Sequence, residues 1–338
     1  MSRIAVMGSG AWGTAIAISL ARRGGHEIRL WSFEKDVAAT MQTQRENTVF
    51  LPGFRLDESI AVTADPAEAI RGAEIVVSVT PSEFTRASFK AFVPHLRPDQ
   101  ILVSATKGIE EVSYLRMTQV IGEVLGAQGL DLACGVLSGP SFAQEVAAGA
   151  PTAISIASAD AEAASRVQRE FSSRTLRLYT NDDVVGVELG GSLKNVIAIA
   201  AGIVAGLGLG FNSNAALMTR GIAEMTRLAL ACGGRRETLA GLAGMGDMVL
   251  TCTGSLSRNR TVGMELGRGR SLAEILEGLG GHVAEGVRTT SAALGLARRH
   301  GVEMPIAEQM EAILMHGKAP QQAIEELMMR PGRDEFAS

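Results

Sequence analysis

Gly8-Ser9-Gly10-Ala11-Trp12-Gly13 constrains this 338-residue chain more than any other stretch. Three glycines at G-x-G-x-x-G spacing follow the apolar run Ile4-Ala5-Val6-Met7 and precede Thr14-Ala15-Ile16-Ala17-Ile18-Ser19-Leu20-Ala21-Arg22-Arg23. The pattern predicts strand, tight turn, helix. The first glycine permits the turn, the second lets a pyrophosphate approach the backbone, and the third lets helix pack close to strand, with the helix N-terminus facing the anion. Spacing alone says little in a chain with 39 glycines. Position gives the motif its force, because it follows a strand and opens an amphipathic helix. The stretch predicts a dinucleotide site built on Gly8, Gly10 and Gly13.

Gly24-Gly25 stops that helix, and 26–31 reads as a second strand whose tip meets the adenosine ribose. The tip is Ser32-Phe33-Glu34-Lys35, with no acid at its first position. Phe33 is expected against the adenine. Lys35 or the Arg22-Arg23 pair offers a cation to a 2′-phosphate, so NADP is expected to be favoured, with NAD tolerated. Strands are predicted over 60–63, 74–80, 101–105 and 133–137, the apolar ones suiting a buried parallel sheet. Two more, 152–157 and 175–179, extend it. Ligands in such sheets bind at the strands' carboxyl ends. Four loops are therefore expected to meet in one crevice: 8–13, 80–82, 107–108 and 138–143. Ser141-Phe142-Ala143-Gln144 reads as a capping box. Lys107 stands alone at a strand end, as a ligand contact or a solvated charge.

From Val184 the strand signal ends. Helices are predicted over 184–206, 213–232, 235–243, 258–268, 271–278, 286–300, 304–316 and 319–329. The expected architecture is α/β, a Rossmann-type dinucleotide-binding domain over 1–182, then an all-helical domain over 183–338. The apolar run 196–211 is short and interrupted by Gly202, Gly206, Gly208 and Gly210, which suits a buried helix ending in a glycine loop better than a membrane span. The N-terminus lacks a signal peptide's pattern. Net charge is −4, with no basic stripe for nucleic acid or an anionic membrane. Cys134, Cys232 and Cys252 are dispersed, form no metal motif and suit a reducing compartment. A cytoplasmic enzyme is expected.

Gly190-Gly191 lies one helical turn before Lys194-Asn195 on an otherwise apolar helix. Helical side chains lean over positions i−3 and i−4, so glycines there would clear space beside the lysine. The competing reading is close helix packing at the glycines. A partly desolvated lysine is disposed to exchange its proton and serves as acid or base at a carbinol oxygen. Asp247, read as lying in a glycine turn, either pairs with Lys194 or is an ordinary turn aspartate. Ser257 reads as the N-cap of the next helix. That helix start and the fork of Arg258 suit a phosphate, against the reading of an arginine-rich surface turn. The five histidines are scattered and no cluster offers a metal site.

On these residues the chain resembles the bacterial NAD(P)-dependent glycerol-3-phosphate dehydrogenases over nearly its full length. The matching stretches are 8–15, 47–53, 105–108, 138–145, 188–201, 244–253, 257–260 and 283–286. The resemblance implies the two-domain fold shared with 6-phosphogluconate dehydrogenases. It implies reversible hydride transfer between NAD(P)H and C2 of glycerone phosphate, supplying sn-glycerol 3-phosphate for phospholipid synthesis. It implies Lys194 as the proton acceptor or donor, and a substrate lined by Lys107, Gly139, Ser141, Lys194, Asp247, Ser257, Arg258 and Asn259. It implies cofactor contacts at Ala11, Trp12, Phe33, Lys107, Ala143, Arg258, Val283 and Glu285, no metal, and a homodimer. Phe33 departs from a histidine found in some relatives. The rival enzyme is a dehydrogenase of another phosphorylated polyol or a 3-hydroxy acid. The rival outside enzymes is a dinucleotide sensor, which would be expected to lose Lys194 or Asp247.

Overall fold

The structure, a computed structural model, describes residues 2–278, 284–332 and 334–335. The chain divides into two compact units. The first comprises the residues up to Lys107 and Leu115–Val187; the second comprises Gly108–Tyr114 and the chain from Glu188 onward. The division falls one helical turn after the expected 182/183, inside a helix, and assigns seven residues of the first half to the second unit.

The first unit is an eight-stranded sheet with helices. Its strands are β1 (Ser2–Met7), β2 (His26–Trp31), β3 (Ile60–Thr63), β4 (Ile75–Ser78), β5 (Ile101–Ser104), β6 (Cys134–Ser138), β7 (Thr152–Ser158) and β8 (Leu176–Asn181). Their order is β8-β7-β6-β5-β4-β1-β2-β3. Strands β3-β2-β1-β4-β5-β6 follow the doubly wound dinucleotide-binding order, which reverses direction between β1 and β4. Every neighbouring pair is parallel except β6 and β7. Alternate residues of β1 enter different cores. Ile4 and Val6 pack with Ile16, Leu20, Ile28 and Val77, while Ala5 and Met7 pack with Trp31, Val76, Phe89 and Phe92. That alternation is the two-residue period of a strand covered on both faces. Helix α1 (Ala11–Arg23) follows β1, and α2 (Ala143–Ala148) follows β6. Between β2 and β3 lies a small antiparallel hairpin, Glu46–Asn47 with Leu51–Arg55, in a stretch where no strand is predicted.

The second unit is helical among the described residues, as its periodicity predicts. It holds α3 (Val184–Gly206, entered from the first unit), α4 (Phe211–Ala231), α5 (Asp247–Thr253), α6 (Arg258–Gly267), α7 (Glu285–His300), α8 (Pro305–His316) and α9 (Pro320–Met328), with short helical pieces between some of them. Asp183 starts α3 by accepting from the Gly186 amide at 2.8 Å. The 23 residues of α3 are long and apolar enough to cross a membrane, yet 89% of the apolar window is buried, which makes α3 the core helix. Its glycines allow the burial: Gly202 and Gly206 lie against the backbone of α6, and Gly263 and Gly267 of α6 lie against the backbone of α3. The Gly108–Tyr114 segment is tied in at both ends. The Gly108 amide donates to Ser192 Oγ at 2.9 Å, and the Arg299 guanidinium lies 4.5 Å from the Tyr114 ring centroid. Gly295 leaves the room that ring occupies.

Candidate active site

In the 8–13 turn each glycine performs a separate task. Gly8 has φ +134°, and a Cβ there would sit 2.7 Å from Val79 O. Gly13 packs against the Gly8 carbonyl, closing α1 onto the turn. A Cβ on Gly10 would meet nothing within 4 Å, so the turn is open on that side. That combination is the fit a pyrophosphate needs. The buried indole N–H of Trp12 has no protein partner, a further donor in the turn. Asn47 fixes the turn from behind. It is fully buried, and its Nδ2 donates to Ser9 O at 2.7 Å and to Thr14 Oγ1 at 2.8 Å. Asn47 fell inside a matching stretch, but its anchoring role was not foreseen, because the contact depends on the hairpin.

Beyond β2, Phe33 is 77% exposed and meets Trp31 edge-on. Two expected phosphate cations are corrected here. Arg22 Nη1 donates to Val146 O at 3.1 Å, and its Nη2 to Ala147 O. Arg23 donates to Ser172 O and Arg169 O. Both sit at the C-terminal end of α1, away from the turn that opens it. They satisfy carbonyls, including the last ones of α2, where cations belong.

At the ends of β5 and β6 the structure gathers three candidates. Lys107 Nζ donates to Gly139 O at 3.4 Å, and Ser141 Oγ donates to the same oxygen at 2.9 Å. Gly139 has φ +143°, and a Cβ there would sit 2.9 Å from Ile154 Cα. The expected capping box is absent. Phe142 is the N-cap, with no side-chain cap, because the Ser141 hydroxyl is turned to Gly139. Ala143 is the first residue of α2. The ends of β1, β4 and β5 are bound together by Val79 N to Met7 O (2.9 Å), Ala105 N to Ser78 O (2.8 Å) and Thr106 Oγ1 to Thr80 O (2.7 Å). Their loops therefore emerge along one edge of the sheet.

In the second unit Lys194 is buried, 6% exposed, and Asp247 is 1% exposed. Lys194 Nζ donates to Asp247 Oδ1 at 2.6 Å and to Thr251 Oγ1 at 2.7 Å. Thr251 Oγ1 in turn donates to Asp247 O at 2.6 Å. The lysine is thus aimed by two acceptors one turn apart on α5. Asp247 is the first residue of a helix rather than part of a turn, because Leu242–Gly246 forms a π-helical turn that leads directly into α5. Gly190 explains the approach of α5: a Cβ there would sit 2.6 Å from Ala243 O and 3.2 Å from Gly244 Cα. The glycine admits that turn, which is the close packing of the competing reading. Thr251 was missed, although its i+4 spacing from Asp247 was the available signal. Cys252 is buried beside the pair, and burial pushes its thiol up to about 12, so it stays protonated.

Ser257 caps α6 as expected, accepting from the Arg260 amide at 3.2 Å. Arg258, the first residue of α6, is exposed. Asn259 is buried, and its Oδ1 accepts from the Gly286 amide at 2.9 Å. Glu285 begins α7 and accepts from Asn195 Nδ2 at 3.2 Å. Asn195, Asn259 and Glu285 therefore tie α3, α6 and α7 into one cluster around the residue next to Lys194. Val283 lies outside the described residues.

Two family models match the chain: the N-terminus of NAD-dependent glycerol-3-phosphate dehydrogenase over residues 3–164, and its C-terminus over 183–325. A relative in Acidobacterium capsulatum, named glycerol-3-phosphate dehydrogenase [NAD(P)+], is 64% identical over 99% of this chain and all of its own length. A relative of the same name in Koribacter versatilis is 61% identical over 99% of each chain. The crystal structure of a glycerol-3-phosphate dehydrogenase from Coxiella burnetii, 40% identical, superposes with a TM-score of 0.92 over 97% of this chain and 99% of that one.

Proposed function

The chain belongs to the NAD-dependent glycerol-3-phosphate dehydrogenase family, and we propose that it catalyses reversible reduction of glycerone phosphate at C2 to sn-glycerol 3-phosphate. The observation that carries the reading at the level of chemistry is Lys194, a buried amine aimed by Asp247 and Thr251. The dinucleotide supplies the hydride in reduction and takes it in oxidation. Reduction of a ketone also needs a proton at the carbonyl oxygen. Lys194 gives that proton and, in the reverse direction, takes it from the C2 hydroxyl. Asp247 and Thr251 hold the amine pointed by the two hydrogen bonds it donates to them.

The turn at Gly8, Gly10 and Gly13, with Ala11, Trp12, Phe33, Lys107, Ala143, Arg258, Val283 and Glu285, holds the dinucleotide in this reading. Lys107, Gly139, Ser141, Lys194, Asp247, Ser257, Arg258 and Asn259 hold the substrate. Its phosphate goes to the fork of Arg258 at the start of α6, where a guanidinium and the helix N-terminus act on the same anion. The product feeds glycerophospholipid synthesis. The three cysteines are dispersed along the chain and odd in number, which supports a reducing, cytoplasmic setting. A homodimer completes the reading.

Absorbance at 340 nm tests it. Glycerone phosphate is expected to drive oxidation of the reduced nucleotide, and unphosphorylated dihydroxyacetone to do so far more slowly. Equal rates with the two ketones would overturn the phosphate assignment, and no oxidation with either would overturn the activity.

A further inference from the structure

Glu34 lies about 20 residues beyond Gly13, the separation at which dinucleotide folds place a ribose-binding acid. The tip of β2 is joined to the glycine turn. The Gly8 amide donates to Trp31 O at 3.2 Å, and Ser9 Oγ donates to Ser32 Oγ at 2.7 Å. Ser32 Oγ donates to the Glu34 main-chain oxygen at 3.1 Å and has Glu34 Oε2 at 3.5 Å. Two hydroxyls thus connect the turn to the Glu34 carboxylate. Glu34 is the N-cap residue of the Lys35–Gln44 helix, yet its side chain caps no backbone amide. The carboxylate is exposed and turned back toward Ser32. Asp36 adds a second acid in the first turn of that helix. Lys35 is the cation at this tip, since Arg22 and Arg23 are committed to carbonyls at the other end of α1.

We propose that Glu34 makes this enzyme prefer NAD(H) to NADP(H). It accepts hydrogen bonds from the ribose 2′- and 3′-hydroxyls and repels a 2′-phosphate. The inference rests on the dehydrogenase reading and reverses the preference expected from the neighbouring cations. A 2′-phosphate carries more than one negative charge at neutral pH and would be set against Glu34 and Asp36, with Lys35 as its only offset at the tip.

The test compares kcat/KM for NADH and NADPH with glycerone phosphate at low ionic strength. NADH is expected to lead by about tenfold or more, and the lead to narrow as salt rises, because exposed charges are screened. Glu34→Gln is expected to raise kcat/KM for NADPH by about tenfold, through KM, with kcat little changed. A wild-type enzyme that prefers NADPH would overturn the proposal. So would a Glu34→Gln ratio within twofold of wild type. If neither nucleotide is oxidised, the dehydrogenase reading fails by itself. Dissociation constants for NADH and NADPH, read from tryptophan fluorescence, then decide the Glu34 question separately.

Discussion

A charged amine inside an apolar helix is tolerable only when its charge is met, and Lys194 meets Asp247 and Thr251 at hydrogen-bond distance. Asp247→Ala removes one partner and leaves the other charge buried. It is expected to cost about 3–5 kcal/mol of stability, read from denaturant midpoints, as well as most of kcat. The double variant Lys194→Met/Asp247→Leu is expected to recover the stability without the activity, because a buried ion pair is replaceable by packed apolar side chains. Recovery of activity as well would mean the pair is structural. Arg258→Ala is expected to raise the KM for glycerone phosphate at least about tenfold while the nucleotide KM changes little. An unchanged substrate KM would remove Arg258 from the phosphate site. Lys194 and Asp247 were legible because a lysine in an apolar run and an acid among glycines both stand out. Thr251 did not stand out. A threonine shows its purpose only once Asp247–Thr253 is known to be a helix, and the three glycines at 241, 244 and 246 concealed that.

The glycines of α3 belong to the scale of elements. Gly190 was read as clearing space beside Lys194 or as a site of close packing, and the second holds: it admits the backbone of the Leu242–Gly246 turn and so places α5 beside Lys194. Gly190→Ala is expected to displace that turn, costing about 1–3 kcal/mol and lowering kcat more than KM. Normal kcat in a folded variant would contradict the placement. The start of α8 depends on Glu224 of α4, a 2%-exposed carboxylate that accepts from the Ile306 amide at 2.7 Å and the Ala307 amide at 3.4 Å. Burial, the largest cause, raises its pKa from 4.5 to about 7; the two amides and Arg227 oppose that and Glu308 adds to it. The folded value exceeds the unfolded one, so the folded state holds the extra proton between these limits and stability falls as pH rises from about 4.5 to about 7. Glu224→Gln is expected to flatten that slope, which is worth on the order of 3 kcal/mol. An unchanged slope would place the titration elsewhere. Most helix positions were legible from periodicity, Asp247–Thr253 excepted. The partners of Arg22 and Arg23 were not, because a helix-end arginine looks the same whether it meets solvent, phosphate or a neighbouring carbonyl.

For the whole molecule, the alternation of apolar runs and helices was enough to predict a Rossmann-type sheet followed by helices, and the two units have that architecture. Strand direction was not legible. The run at 152–157 looks the same whichever way it pairs, and β7 runs antiparallel to β6. Nor was the allegiance of Gly108–Tyr114, which has no periodicity and joins the second unit through Ser192 and Arg299. A homodimer of this 35.4-kDa chain predicts a sedimentation-equilibrium mass of twice that value, and the single-chain mass would contradict it. The central claim is that Lys194 moves the proton that accompanies hydride transfer. It is tested most directly by turnover of Lys194→Ala at 340 nm with saturating glycerone phosphate, alongside nucleotide binding followed by tryptophan fluorescence. The account predicts that kcat falls about 10²–10⁴-fold while the nucleotide Kd stays within about twofold of wild type. Near-normal turnover in a folded, nucleotide-binding variant would contradict it.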